Sequence, residues 1–281
     1  MTFGAAPPLS LGVEEELFLV DRETLEPAPL IERLLPELGP GLKPELFACL
    51  VETTTPICAG ADEILTELQR LRAAVAERTA IVASGTHPLA VEVGQQIASV
   101  PRYERMAHKL GKVVYTQLLC GLHVHVAMPD AETALHAFEG VIPWLPTLLA
   151  LSANSPYVEG KATGLRSTRA ERLLLVPTGL PPLLPDWAAW EAATRGDEGR
   201  RHLDAWPRPE LGTLEVRVMD QQTDVRRSAA FAAIVQALVE AVLHADVEPY
   251  DRALYARRRA DAARMPPDPS EVAALAQLVG Q

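Results

Sequence analysis

Glu14, Glu15 and Glu16 stand together at the head of an otherwise apolar run, Gly12-Val13-Glu14-Glu15-Glu16-Leu17-Phe18-Leu19-Val20-Asp21. The run reads as a β-strand, in which alternate side chains share a face. Glu14 and Glu16 then point the same way as Phe18 and Val20, and Glu15 points opposite. Two like charges on one face of a buried strand repel each other and lose hydration, which costs roughly several kcal/mol unless something positive joins them. A hard divalent cation such as Mg²⁺, which prefers oxygen ligands, is the simplest partner. An edge strand whose acids face water and discourage edge pairing would carry the same pattern. The run alone leaves both readings open.

Other segments repeat the theme. Glu45 to Pro56 (ELFACLVETTTP) favours a strand, and Glu52 sits among Val and Thr, where a lone acid needs a partner. Glu45 lies seven residues earlier and would face the other way in an unbroken strand, so only a bulge or bend could bring the two together. Lys112 to Ala127 is β-prone and places His123 and His125 on one face, with Leu122, Val124 and Val126 on the other. Such a pair can hold a metal, contact a nucleotide, or be ordinary hydrogen-bonded histidines. In Gly212 to Asp220, Leu214, Val216 and Val218 face the core, while Thr213, Glu215, Arg217 and Met219 line the opposite face. On a surface, Glu215 and Arg217 would form an ion pair of little worth. In a cleft they suit phosphoryl transfer, the acid holding a metal and the arginine neutralising phosphate charge. The polar loop from Ala153 to Arg169, with hydroxyls such as Ser155 and two arginines, Arg166 and Arg169, suits substrate binding or is a solvated connection.

Helices must hold these strands. Ala61 to Ala83 has a helical apolar stripe, a second helix runs from Arg102 to Leu110, and Asp130 to Ser152 is apolar but interrupted by Pro143 and Pro146. Ser228 to His244 reads as a core helix, and short helices follow Pro249 on either side of Met265-Pro266-Pro267. Val176 to Pro209 has no strong periodicity and reads as an irregular excursion. Strands with one polar face and helices behind them imply an α+β fold with a mostly antiparallel sheet, helices on one face and an open concave surface on the other.

At 281 residues the chain suits one large domain or a domain with a tail. Its net charge of −11 argues against nucleic acid or an anionic membrane as the main partner. Three cysteines without a CxxC spacing suggest a reducing cytoplasm. Neither a signal peptide nor a transmembrane helix is expected. The chain carries no GxxxxGK[ST], GxGxxG or HExxH, so a nucleotide would be held through metals on carboxylates rather than by a glycine loop.

Taken in order, LGVEEELFLVD, VETTTPIC, SGTHP, SVPRYERM, CGLHVHVAMPD, LSANSPY, a TG followed by SxR, and GTLEVRVMDQQT resemble the carboxylate–amine ligases related to type-2 glutamate–cysteine ligase, over about Leu11 to His244. The resemblance implies a glutamine synthetase/guanido kinase-like catalytic fold and ATP-dependent amide formation. In that reaction a glutamate γ-carboxylate is phosphorylated and the acyl phosphate is attacked by an amine, typically that of cysteine. By motif, Glu14, Glu16, Glu52 and Glu215 resemble metal ligands, with Glu45 a weaker one. His123 resembles a metal- or phosphate-side histidine, with His125 beside it toward the nucleotide. Arg217 resembles the residue that steadies the transferring phosphate, with Glu14 next to the reacting groups, and Arg169 a substrate-side arginine.

The expected unit is then a catalytic domain over 10–246 with a shortened helical tail over 247–281. ATP and Mg²⁺ are its cofactors, small molecules its partners, and a homodimer is left open. The chain is shorter than is usual for such ligases between Val176 and Arg208 and after His244. Two other readings remain: a zinc hydrolase using His-x-His, and a nucleotide-binding relative without ligase activity.

Overall fold

The computed structural model describes residues 1–37, 39–176, 180–194, 202–246 and 249–280. In chain order its elements are β1 (Leu11–Val20), α1 (Ile31–Leu34), β2 (Leu42–Pro44), β3 (Leu50–Thr54), α2 (Ala61–Ala76), β4 (Ala80–Val82) and α3 (Pro101–Leu110). Then come β5 (Gly121–Ala127), α4 (Ala131–Val141), α5 (Leu145–Ser152), β6 (Tyr157–Val158), β7 (Lys161–Ala162) and α6 (Thr168–Arg172). The chain continues through α7 (Trp187–Thr194), β8 (Ala205–Arg208), β9 (Thr213–Asp220), α8 (Val225–Leu243), α9 (Arg252–Ala262) and α10 (Pro269–Val279).

The main sheet runs β2-β3-β1-β5-β9-β8, with β4 also pairing with the end of β1, and every pairing is antiparallel. Its apolar face carries Val13, Leu122, Val124, Val126, Leu214 and Val216 into one core with residues of α2, α4 and α8. This is the expected α+β arrangement. Alternation along β1 holds from Leu11 to Glu16 and then stops, for Leu17 to Val20 are all buried. A second core around Phe47, Tyr103 and Val114 covers the other face there. The polar face is therefore open only where Glu14 and Glu16 stand. Glu15 points into the helix layer and is fully buried. Arg72 of α2 meets it in a bidentate pair at 2.6 and 2.7 Å, and Ser228 of α8 donates to it at 2.5 Å.

Several elements differ from the sequence reading. The Glu45–Pro56 strand is only Leu50–Thr54; the chain bends at 45–49, and Leu42–Pro44 forms a further strand whose Lys43 faces Glu52. The helix read over 61–83 stops at Ala76, because Ala80–Val82 pairs with β1 and Thr79 donates to the Val20 carbonyl. Of Lys112–Ala127, only Gly121–Ala127 is strand; Gly111, at φ +56, ends α3 and leads into a 3₁₀ turn. Within the 176–209 excursion, residues 177–179 and 195–201 lie outside the described residues, while α7 and β8 add a helix and a sheet strand.

The largest difference in register is in β9. Leu122 pairs with Met219 but Val124 with Val216, so β9 carries an extra residue opposite His123. This bulge reverses the alternation. Met219, expected beside Glu215 and Arg217, enters the core, and Asp220 comes to lie opposite Gly121 on the polar face.

Ala131–Ser152 is long and apolar enough to cross a membrane by length and composition alone, a test that a buried core helix also passes. As its prolines imply, it is split into two helices by the Ile142–Trp144 turn, and 72% of its 18-residue apolar window is buried in the core. After residue 249, Tyr250, Tyr255, Ala262 and Leu275 join the main core, and Arg259 pairs with buried Asp204 at 2.6 Å.

Candidate active site

Strand register assembles the site. Glu16 lies opposite Glu52 across β1 and β3, Glu14 opposite His123 across β1 and β5, and His125 opposite Glu215 across β5 and β9. Opposite residues in antiparallel strands share a face, so six of the side chains singled out by pattern become neighbours. Glu45 reaches them from the bend before β3. Two groups result, Glu14/His125/Glu215 and Glu16/Glu45/Glu52, each with its donor atoms within 4.8 Å of one another. His123 borders the first, its Nδ1 3.4 Å from Glu14 and 3.6 Å from Glu215.

The electrostatics are those of a site short of positive charge. Burial pushes the Glu16 carboxyl up to about 7, with Glu45 adding to the rise. Glu52 is raised by burial and by Glu14, and Glu45 by burial and by Glu52. Where cations are at hand the balance reverses. Burial alone would raise Glu14, but His123 and His125 hold it well below the usual carboxylate range. Burial of Glu215 is likewise outweighed by Arg217 and the histidines, which bring it down to about 2. Lys43 bridges the two groups, 3.0 Å from Glu52 and 3.8 Å from Glu14.

Two buried atoms, His125 Nε2 and Glu215 Oε1, have no hydrogen-bond partner. Arg217 Nε approaches Glu215 Oε1 to 2.9 Å without the alignment of a hydrogen bond. His125 Nδ1 lies 3.0 Å from Thr213 Oγ1, and donation to that hydroxyl leaves the Nε2 lone pair facing Glu14 and Glu215. Unpartnered acceptors and mutually repelling carboxylates fit a divalent cation in each group, and the oxygen-rich donor set suits a hard ion.

Two arginines flank the groups. Arg217 is partly exposed at the rim. Arg169 is buried, and its guanidinium lies against Gly121, donating from Nη2 to the Arg217 carbonyl at 3.2 Å and from Nη1 to the Val218 carbonyl at 3.4 Å. A Cβ on Gly121 would collide with Arg169 and come within 2.8 Å of His123. The same glycine donates its N–H to Glu16. Glycine at this point of GLHVH is thus a packing requirement.

Ser155 stands apart from the carboxylates. It is buried, with its hydroxyl donated to Asp220 Oδ2 at 2.6 Å. Sequence reasoning gave no role to Lys43, Gly121, Arg208 or Asp220. Arg208 binds Glu215 at 2.7 Å from β8, a strand with no periodic signal. Beside Glu14 and His125, Lys43, Thr54, Thr213, Ile57 and Leu211 line a cavity of about 270 Å³.

Comparison with known proteins places this geometry. The model of glutamate–cysteine ligase family 2 matches residues 10–273. A Rubrobacter xylanophilus protein provisionally named glutamate–cysteine ligase 2-3 is 40% identical over 268 residues, covering 89% of this chain and 73% of its own. A Roseiflexus castenholzii protein provisionally named glutamate–cysteine ligase 2 is 34% identical over 250 residues, covering 83% and 66%. Among solved structures, glutamate–cysteine ligase of Francisella tularensis in complex with AMP superposes with a TM-score of 0.71 over 97% of this chain and 78% of that one. A bifunctional glutathione synthetase of Pasteurella multocida gives 0.69 over 97% and 45%. Both are 14% identical to this chain, so they speak for the fold.

Proposed function

The chain belongs to glutamate–cysteine ligase family 2, and from that premise we propose that it is an ATP-dependent ligase joining the γ-carboxylate of glutamate to the amine of cysteine or a similar small amine. The observation that carries the proposal is the pair of carboxylate-rich groups side by side on one open sheet face, with Arg217 and Arg169 at their edge. A phosphoryl group passing from ATP to a carboxylate brings several negative charges together, and catalysis is chiefly positioning and charge stabilisation.

Glu14, His123, His125 and Glu215 would hold one Mg²⁺ and Glu16, Glu45 and Glu52 another. Bound there, the ions would supply the positive charge that the triphosphate and the reacting carboxylate need. His125 is held by Thr213 with its Nε2 toward the triphosphate side, and the neighbouring cavity of about 270 Å³ is offered to the nucleotide. Arg217 at the rim steadies the transferring phosphate. Arg169, with an unpartnered Nε, supplies fixed positive charge on the side of the acid substrate. Fixed dipoles and charges need no reorganisation as the acyl phosphate forms.

A zinc hydrolase finds no support here. Both metal-competent groups among the described residues are dominated by carboxylates, and His87 is packed edge-on against Phe18, accepting backbone N–H groups. The deciding assay is ADP release with ATP, L-glutamate and L-cysteine. Release that requires both acid and amine, and that drops at least about 100-fold in Glu14→Gln and Arg217→Ala, is expected. ATP turnover indifferent to either substrate, or full activity in both variants, refutes the proposal. Tight ATP binding without product under any acid–amine pair would mark a relative without ligase activity.

A further inference from the structure

Asp220 is fully buried at the end of β9, on the polar face only because of the β9 bulge. Among the described residues no cationic side chain forms a salt bridge with it. Its Oδ2 accepts from the Asn154 N–H at 2.8 Å and the Ser155 hydroxyl at 2.6 Å, and its Oδ1 from the Ser167 hydroxyl at 2.8 Å. Those hydroxyls pass the constraint on. Ser155 Oγ accepts the Arg169 N–H at 3.2 Å, and Ser167 Oγ caps α6 by accepting the Ala170 N–H at 3.1 Å. Gly85 closes the other side, where a Cβ would stand 2.7 Å from the Asp220 carboxyl carbon. Gly85 and the two ends of the 154–169 segment thus converge on one carboxylate. The Arg169 side chain itself is weakly held, by two carbonyls at 3.2 and 3.4 Å and nothing at Nε. A buried guanidinium so lightly bonded depends on nearby negative charge and on a fixed backbone.

We infer that Asp220 is a positioning residue that fixes Arg169, through Ser155 and Ser167, in the place from which it acts on the acid substrate. The inference rests on the substrate-side reading of Arg169. Asp220 touches no reacting group; it sets where the Arg169 backbone starts and supplies the counter-charge that keeps the guanidinium buried against Gly121. Removing that charge loosens the acid side of the site and leaves the ATP side, built on Glu14, His125 and Glu215, as it was.

The test is a double-mutant cycle read in ADP release with ATP, L-glutamate and L-cysteine. Asp220→Asn keeps the shape and removes the charge. Asp220→Asn and Arg169→Gln should each raise the KM for glutamate roughly tenfold or more with the KM for ATP within about twofold, as expected for lost contacts to a charged group. The double variant should be no worse than Arg169→Gln alone. Ser167→Ala, a milder change, should shift glutamate KM in the same direction. If Arg169→Gln raises the glutamate KM and Asp220→Asn does not, if the two effects multiply, or if ATP and glutamate KM rise together, the inference is overturned. If Arg169→Gln leaves glutamate KM unchanged, the reading of Arg169 falls and this inference with it. Hydrogen exchange reads the geometry without turnover: the Arg169 and Ala170 amides should exchange faster in Asp220→Asn, and unchanged protection there refutes the link.

Discussion

Glu16 gives a stability signature that can be measured before any substrate is known. Burial and the neighbouring Glu45 raise its carboxyl from an ordinary 4.5 to about 7 in the metal-free fold. Between those values the folded chain holds a proton that the unfolded chain has released, so stability falls as pH rises across the window and levels off above 7. At about 1.4 kcal/mol per tenfold in acidity, the limit is about 3 kcal/mol, and screening at the partly open edge brings it to about 2–3 kcal/mol. For a chain of this length that is roughly 5–10 °C in melting temperature.

His125 acts in the same sense. Burial alone would lower it, but Glu215 and Glu14 outweigh burial and raise it. Its stabilisation is therefore full below about 6.5 and is lost as pH rises through the folded value. Glu14, held low, contributes stability that is lost only well below pH 4.5. Calorimetry of the metal-free protein from pH 5 to 8 should show a falling melting temperature. Mg²⁺ should recover it at pH 8 and do little at pH 5. Glu16→Gln should melt higher than the native chain at pH 8 and show a shallower slope between pH 5 and 7, what remains coming from Glu45, Glu52 and His125. Parallel curves for Glu16→Gln and the native chain over that range would refute the reasoning.

Gly121→Ala drives a methyl into Arg169 and to 2.8 Å from His123, so ADP release should fall at least about 100-fold with the far-ultraviolet circular dichroism unchanged; near-native turnover would show that Arg169 has room to move. Arg72→Ala strands the fully buried Glu15 between α2, α8 and the sheet, and urea unfolding should record a loss of about 3–5 kcal/mol, whereas exposed Arg226→Ala should leave the unfolding midpoint nearly unchanged.

The two-residue period of a strand is a local property. It is why Glu14 and Glu16 could be assigned to one face and Glu15 to the other, and why His123 and His125 could be paired, before any tertiary structure was known. The same locality made the α8 helix and the α+β class legible, since apolar spacing alone specifies them. The motifs, read together, carried the family and with it the kind of chemistry.

What lies across strands was not available in the same way. That Glu16 faces Glu52, or His125 faces Glu215, follows from register, which is set by turns and bulges rather than by either strand's own pattern. The bend at 45–49 delivers both Glu45 and Lys43 to Glu52, where an unbroken strand would have kept Glu45 away. One extra residue in β9 sends Met219 into the core and turns Asp220 toward the site, reversing what alternation predicts for both. The hydroxyls that bind Asp220 come from loops more than fifty residues upstream. Side-chain chemistry and period belong to the sequence; convergence belongs to the fold, because only the assembled sheet with its loops in place fixes distances between residues so far apart along the chain.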